Sequence, residues 1–151
     1  MSGAGDSEIR ELYRSLILDH ARSPRHFGRM EEPTHTADGI NPLCGDKLEV
    51  FISVQDDTIA DVSFEGKGCA ISLASASMMS ERIIGQSVND AISDIELVSQ
   101  SLSGESAETL PGKLEALKGV REYPSRVKCA TLAWHALRAA ITKDRAVATT
   151  E

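Results

Sequence analysis

The stretch LEVFISVQDDTIADVSF, residues 48–64, decides the fold. In each half, apolar side chains tend to alternate with polar ones and β-branched residues are frequent, a pattern typical of strands with one buried face. Asp56 and Asp57 separate the two halves. We therefore predict an antiparallel hairpin of residues 48–54 and 59–64.

The pattern changes on both sides of this hairpin. After Gly66 and Gly68 the apolar residues follow helical spacing, which predicts a helix that begins near Cys69 and stops before Gly85. Similar spacing predicts helices over 7–20, over 88–102 and after Pro124, with weaker helical propensity at 113–118. Residues 27–45 are rich in turn formers, and residues 99–112 form a Ser/Gly-rich connector.

Length and composition narrow the class of protein. The chain has 151 residues and fits a single domain, 1–151, with flexible tails at about 1–7 and 143–151. Its net charge of −7 and sequence pI near 5.1 disfavour binding to nucleic acid or to an anionic membrane. There is no apolar run of about 20 residues and no secretory signal, so we expect a cytoplasmic protein.

The three cysteines are the candidate functional residues. An odd number in a chain without an export signal fits reduced thiols better than disulfides. Cys44 and Asp46 flank a glycine in the turn NPLCGD, residues 41–46. Cys69 follows a glycine-flanked loop at a predicted helix start, and Cys129 is predicted in the first turn of the last helix.

This placement predicts thiol chemistry. A helix N-terminus and nearby cations stabilise a thiolate, which binds metals and attacks sulfur. Lys67, Arg126 and Lys128 are the neighbouring cations. Three thiolates and one carboxylate form a four-ligand set that suits zinc or an iron–sulfur cluster better than magnesium or calcium. The alternative is that the cysteines are small buried hydrophobes.

Other candidate ligands are weaker. His20, His26, His35 and His135 lack the spacing to a cysteine that defines a metal motif, so we interpret them as surface or capping residues. Trp134, Met78 and Met79 fit an apolar stripe, and we predict that they lie in the core.

The cysteine motifs resemble those of a known group. NPLCGD, GKGCAIS (residues 66–72) and RVKCATLAW (residues 126–134) are similar to the three cysteine motifs of the iron–sulfur scaffold superfamily, which includes IscU and the NifU N-terminal domain. The resemblance extends from LYRSLILDH at 12–20 and PRHFG at 24–28 through the last helix. Lys128 replaces the histidine of the housekeeping scaffold, and a long segment separates Cys69 from Cys129, as is typical of the SufU branch.

The resemblance implies a fold and a site. Together with the pattern above, it implies an α+β domain in which a small antiparallel β-sheet packs against helices. It implies that Cys44, Asp46, Cys69 and Cys129 bind zinc and that Cys44 accepts sulfur. It also implies that the catalytic set includes a basic residue beside the metal, Arg126, which either pairs with Asp46 or steadies the thiolate.

The same resemblance implies partners and leaves alternatives open. The expected role is a zinc-dependent sulfurtransferase of the SUF system that takes persulfide sulfur from a SufS-like, pyridoxal-phosphate-dependent cysteine desulfurase. Downstream iron–sulfur assembly proteins would then receive the sulfur, and the chain would be a monomer or weak homodimer. One alternative is a scaffold that holds a [2Fe-2S] cluster, or iron, on the same residues. Another is a non-catalytic adaptor that zinc merely stabilises.

Overall fold

A computed structural model describes residues 3–106, 108–142 and 147–149. In chain order the elements are helix α1 (Gly3–Arg22), strands β1 (His35–Asn41), β2 (Asp46–Gln55) and β3 (Thr58–Lys67), helices α2 (Ala70–Ile83) and α3 (Val88–Ser103), a 3₁₀ helix (Gly112–Glu122), helix α4 (Pro124–Thr142) and strand β4 (Val147–Thr149). Within these described ranges, no helix has the length and apolar character needed to cross a membrane.

The predicted hairpin is confirmed as β2 and β3. The two strands pair antiparallel, with Val50 opposite Phe64, and the register shifts once at Ser53/Val54 next to the turn. Asp56 and Asp57 form the turn with positive φ angles of 50° and 61°. Aspartate tolerates this left-handed backbone better than most residues do, which explains why two of them end the first strand.

The sheet is larger than predicted. Its order is β3-β2-β1-β4, in which β1 pairs antiparallel with β2, and β4 pairs parallel with β1. The α+β class is confirmed, but residues 147–149 form a strand where we expected a flexible tail. The other residues of the expected tails, 1–2, 143–146 and 150–151, lie outside the described residues. At the other end, α1 begins at Gly3 rather than at Ser7.

Strand β1 lies inside the segment that we interpreted as turns, so that interpretation was wrong for 35–41. Buried and more exposed residues alternate along the strand. The buried positions, however, are the small or polar residues Ala37, Gly39 and Asn41. At Gly39 a side chain is excluded because α4 lies close: a Cβ there would approach Ala136 Cβ to 3.1 Å. A pattern search that depends on large apolar residues misses such a strand.

The core lies between the sheet and the helices. Helix α4 packs over β1 and β2, and α2 packs against β3. Trp134 is fully buried at the centre, and its indole N–H donates to Ser75 Oγ at 3.0 Å. Met78 and Met79 are also buried, so all three predicted core residues are confirmed.

Four fully buried serines of α2 connect this helix to its neighbours, and we call them the serine row: Ser72, Ser75, Ser77 and Ser80. Each forms a side-chain hydrogen bond outside the helix. The partners are, in order, Asp46 in β2, the Ala130 carbonyl in α4, the His20 ring in α1 and the Arg25 carbonyl after α1. Polar contacts therefore connect α2 to β2, to α4, and to α1 and the segment that follows it.

His20 corrects one prediction. We expected a surface or capping residue, but His20 is fully buried, and its Nδ1 lies 2.7 Å from Ser77 Oγ. Its position on the inner face of α1, opposite a small serine, leaves room for the ring. His135 is partly buried in α4.

Candidate metal centre

The site lies where three elements meet. The β1–β2 pairing ends at Asn41 opposite Asp46, so residues 42–45 form a tight loop at one end of the two central strands. Gly45 adopts a φ of +73°, a left-handed conformation that glycine takes without strain. The loop places Cys44 in solvent, and Asp46 turns inward as the first residue of β2.

Three predicted ligands come together at this point. The ligand atoms of Cys44, Asp46 and Cys129 all lie within 4.8 Å of one another. The Sγ atoms of Cys44 and Cys129 are 3.4 Å apart. Two thiolates on one tetrahedral zinc ion, with Zn–S bonds of about 2.3 Å, lie roughly 3.8 Å apart, so this donor set fits such an ion with small adjustments.

Cys69 adjoins this group without joining it. It is the N-cap residue of α2, and its backbone N–H donates to Asp46 Oδ1 at 3.0 Å. Its Sγ lies 3.6 Å from Ser72 Oγ and also interacts with the Cys129 thiol. Its predicted place at a helix start is correct, and it supplies a fourth donor next to the other three.

The Asp46 carboxyl group is only 2% exposed, yet its surroundings favour the ionised form. Burial by itself would raise its pKa, but hydrogen bonds from Ser72, the Cys129 thiol, the Cys69 N–H and Asn41 outweigh it and lower the pKa. The site therefore holds a negative charge that a cation would neutralise.

The two inner thiols differ in character. Burial raises the pKa of Cys69, but hydrogen bonds from the backbone and side chain of Ser72 and from Cys129 outweigh it, so the net shift is downward. For Cys129, burial and its contacts with Cys44, Asp46 and Cys69 together raise the pKa. Cys129 is the sixth residue of α4, in its second turn and fully buried, so the expected effect of the helix N-terminus does not reach it.

Arg126 interacts with the two inner thiols. Its guanidinium is exposed, and the negative charges of Cys69 and then Cys129 raise its pKa. No ion pair between Arg126 and Asp46 occurs among the described residues. Lys67 and Lys128 line other clefts of the surface.

A groove of about 750 Å³ opens beside Cys69 and Arg126, between α1, α2 and the 3₁₀ helix. Its wall includes the apolar side chains of Ile17, Ile71 and Val120. The site therefore borders a surface on which another molecule has room to bind.

Sequence reasoning missed two residues of the site. Asn41 is fully buried, and its Nδ2 donates to Asp46 Oδ2 at 3.3 Å and to Cys129 Sγ at 3.5 Å. Ser72 donates to Asp46 Oδ2 at 2.7 Å. Both residues lie within the cysteine motifs, and this position was the only sequence signal for them. Ser72, for example, follows the N-cap residue Cys69 by one helical turn, which places the two on the same side of α2.

Comparison with known proteins agrees with the fold and the motifs. Residues 12–149 match the NifU-like N terminal domain family. The chain belongs to this family. The membership accounts for the three cysteine motifs and for the arrangement of the sheet and helices around them.

Individual relatives fall into two named types. The chain is 38% identical to the zinc-dependent sulfurtransferase SufU of Bacillus subtilis (strain 168), over 92% of this chain and 95% of the relative. It is 37% identical to the iron–sulfur cluster assembly scaffold protein IscU of Streptococcus pyogenes serotype M1, over 91% and 87%. The crystal structure of a putative iron–sulfur cluster assembly scaffold protein for the SUF system from Fervidobacterium islandicum AW-1 superposes with a TM-score of 0.80 at 33% identity, covering 83% and 93%.

Proposed function

We propose that this chain is a zinc-dependent sulfur acceptor of iron–sulfur cluster assembly that takes persulfide sulfur from a cysteine desulfurase. The observation that carries the proposal is the difference in burial within the site. Cys44 is exposed on a loop, whereas its neighbours Asp46 and Cys129 are buried. One thiol of the site is thus accessible to a large partner while the others remain covered.

The donor set supports zinc as the resident ion. Two thiols and a carboxylate within 4.8 Å of one another, with Cys69 beside them, provide the sulfur-rich tetrahedral environment that zinc prefers. When bound, zinc keeps its cysteine ligands deprotonated. Asp46 and Cys69 also favour their charged forms, so the protein itself supplies part of this charge.

The sulfur step then occurs at Cys44. Its thiolate attacks the outer sulfur of the desulfurase persulfide, forming a new S–S bond as the bond to the desulfurase cysteine breaks. Cys44 becomes the persulfide, and the desulfurase cysteine leaves as a thiolate. No oxidant is needed, because the persulfide already carries the sulfur at the required oxidation level.

The surface around Cys44 and Cys69 supports docking of the desulfurase, which we expect to be a SufS-like, pyridoxal-phosphate-dependent enzyme. Leu43, next to the acceptor, is 66% exposed, and Tyr123 at the mouth of the groove is 61% exposed. Exposed apolar and aromatic side chains beside a reactive group are common in protein interfaces. Downstream iron–sulfur assembly proteins would receive the sulfur through the same exposed thiol.

Arg126 has a role beside the thiols rather than on the metal. Its interaction with Cys69 and Cys129 favours the thiolate forms, since the effect of a cation on a thiol is mutual with the effect of the thiolate on the cation. We propose that it steadies the negative charge of the site when Cys44 leaves.

The test combines this chain with a SufS-type desulfurase and free cysteine, and measures alanine production and persulfide on each thiol by mass spectrometry. We expect stimulation of alanine production and a persulfide on Cys44. Cys44→Ala should remove both effects, while Lys128→Gln, an exposed change near Cys129, should remove neither. Equal stimulation by Cys44→Ala and the parent chain would refute the proposal.

A cluster scaffold is the second candidate, because relatives named IscU match this chain nearly as well as SufU does. Purification without added iron separates the two. About one zinc ion per chain supports sulfur acceptance, whereas stoichiometric iron and sulfide with visible absorbance support the scaffold. A zinc-stabilised adaptor would show no persulfide at all, and Cys44→Ala and Cys69→Ala would lose stability alike.

A further inference from the structure

We propose that Ser72 and Asn41 are positioning residues that hold Asp46 on the bound metal while Cys44 detaches from it. The proposal rests on the proposed function for the metal and for the departure of Cys44. It adds the reason why Cys44, and not the carboxylate, is the ligand that exchanges.

Counting acceptor positions on Asp46 gives the first argument. A carboxylate offers about four lone-pair positions to donors or cations. Oδ1 accepts the Cys69 N–H at 3.0 Å, and Oδ2 accepts Ser72 Oγ–H at 2.7 Å and Asn41 Nδ2–H at 3.3 Å. These three fixed donors therefore leave one position for a cation.

The bonding of Asn41 gives the second argument. This fully buried amide donates to Asp46 and to Cys129, and its Oδ1 has no hydrogen-bond partner among the described residues. A buried carbonyl oxygen without a donor is unfavourable, and such a group calls for an explanation. The described side-chain bonds of Asn41 go to two predicted ligands, so this residue of β1 holds Asp46 of β2 and Cys129 of α4 in place relative to each other.

The packing of Ser72 gives the third. Ser72 is held in place by α2, and its side chain reaches Asp46 past Gly68. A Cβ on Gly68 would lie 2.9 Å from Ser72 Cβ and 3.3 Å from Asp46 Oδ1. The absence of a side chain at 68 is what allows the serine and the carboxylate to meet.

Cys44 has none of this support. It is exposed, it precedes a glycine in the left-handed conformation, and its described side-chain bond is to Cys129 Sγ. Detaching Asp46 breaks a set of buried hydrogen bonds, whereas detaching Cys44 moves one residue of a surface loop. The exchangeable ligand is therefore the one without outer contacts.

The experiment measures zinc release in the Cys44→Ala background, where three predicted ligands remain. Zinc-loaded protein is mixed with a chromogenic chelator, and the release rate is followed by absorbance. Ser72→Ala should speed release by about 10- to 100-fold, the usual effect of losing an outer-shell partner. Asn41→Leu, similar in volume, should act in the same direction. Ser63→Ala is the matched control, because it removes a hydroxyl that has no partner among the described residues.

Release no faster in Ser72→Ala than in Ser63→Ala would overturn the proposal. So would a Cys44→Ala chain that fails to hold zinc when the parent holds it. Circular dichroism of each metal-free variant checks that the fold is kept, and Ser72→Thr, which retains the hydroxyl, gives a second test if Ser72→Ala unfolds. The chelator experiment needs no desulfurase, so a failure of sulfur acceptance is distinguishable from a failure of ligand positioning.

Discussion

Cys44 Sγ lies 3.4 Å from Cys129 Sγ, yet Cys44 is exposed and Cys129 is fully buried. Two thiols in contact thus face different environments. The outer thiol meets solvent, while the inner one belongs to α4 and is buried, with a pKa raised by burial and by its contacts with Cys44, Asp46 and Cys69.

We therefore expect unequal alkylation in the chelator-treated, reduced protein. Iodoacetamide should modify Cys129 more slowly than Cys44 by about tenfold or more, because only accessible thiolates react quickly. Peptide mass spectrometry over a time course measures the rates. Equal rates in the folded protein would contradict the burial of Cys129, and equal rates in urea serve as the control.

Arg126 should influence the reactivity of Cys69. The two groups interact electrostatically, so Arg126→Gln should raise the pKa of the Cys69 thiol and slow its alkylation severalfold near neutral pH. Lys128→Gln removes the same charge two residues away and should change the Cys69 rate much less. If Cys69 is alkylated at the same rate in both variants, Arg126 acts only through the general charge of the surface.

Gly68→Ala should destabilise the protein. The added methyl group would lie 2.9 Å from Ser72 Cβ, so α2 or β2 must shift, and overpacking of this kind costs about 1–3 kcal/mol. Urea denaturation of the metal-free protein measures the change. Gly119→Ala is the matched control, because its Cβ would meet nothing within 4 Å. Full stability of Gly68→Ala would show that the carboxylate site has room for the added methyl group.

Stability should fall in mild acid. Burial lowers the pKa of His20, and the charges of Arg25 and Lys113 lower it further, although Glu81 and Asp19 oppose them. As the pH falls below about 6.5, the unfolded chain takes up the proton first, so the free energy of unfolding decreases by up to about 1.4 kcal/mol per pH unit for this histidine.

The variant His20→Asn separates this effect from other titrations. It should be less stable at pH 8, because Ser77 loses its ring partner, but its stability should decline less steeply between pH 6.5 and 5. Some dependence of stability on pH should remain in this variant, since burial also lowers the pKa of His135. An unchanged slope in chemical denaturation at several pH values would contradict the assignment to His20.

The sequence predicted the parts of the fold that depend on large apolar residues. The β2–β3 hairpin and α2 follow from alternation and helical spacing, and both lie close to their predicted positions. Strand β1 was missed because Ala37 and Gly39 carry the inward face, and their size depends on how closely α4 approaches. That approach is a tertiary property with no local signal.

The residues of the candidate site were also predicted only in part. Motifs identified Cys44, Asp46, Cys69 and Cys129, and the structure brings Cys44, Asp46 and Cys129 together with Cys69 beside them. The unequal burial of the thiols was not predictable, because it depends on which turn of α4 lies over the loop. The donors Asn41 and Ser72 were missed since their role depends on distances across β1, β2 and α2.

The serine row has a practical consequence for anyone who screens variants of this protein. Ser72 contacts the carboxylate, and Ser77, on the same helix, contacts His20. A substitution that loosens α2 at its His20 end also weakens the hydrogen bonds around the proposed metal centre, because metal binding and folding share the same free energy. A screen for low metal content will therefore return substitutions remote from the site. Circular dichroism of each metal-free variant separates the two classes, because a folding defect is visible without zinc whereas a lost ligand leaves the fold intact.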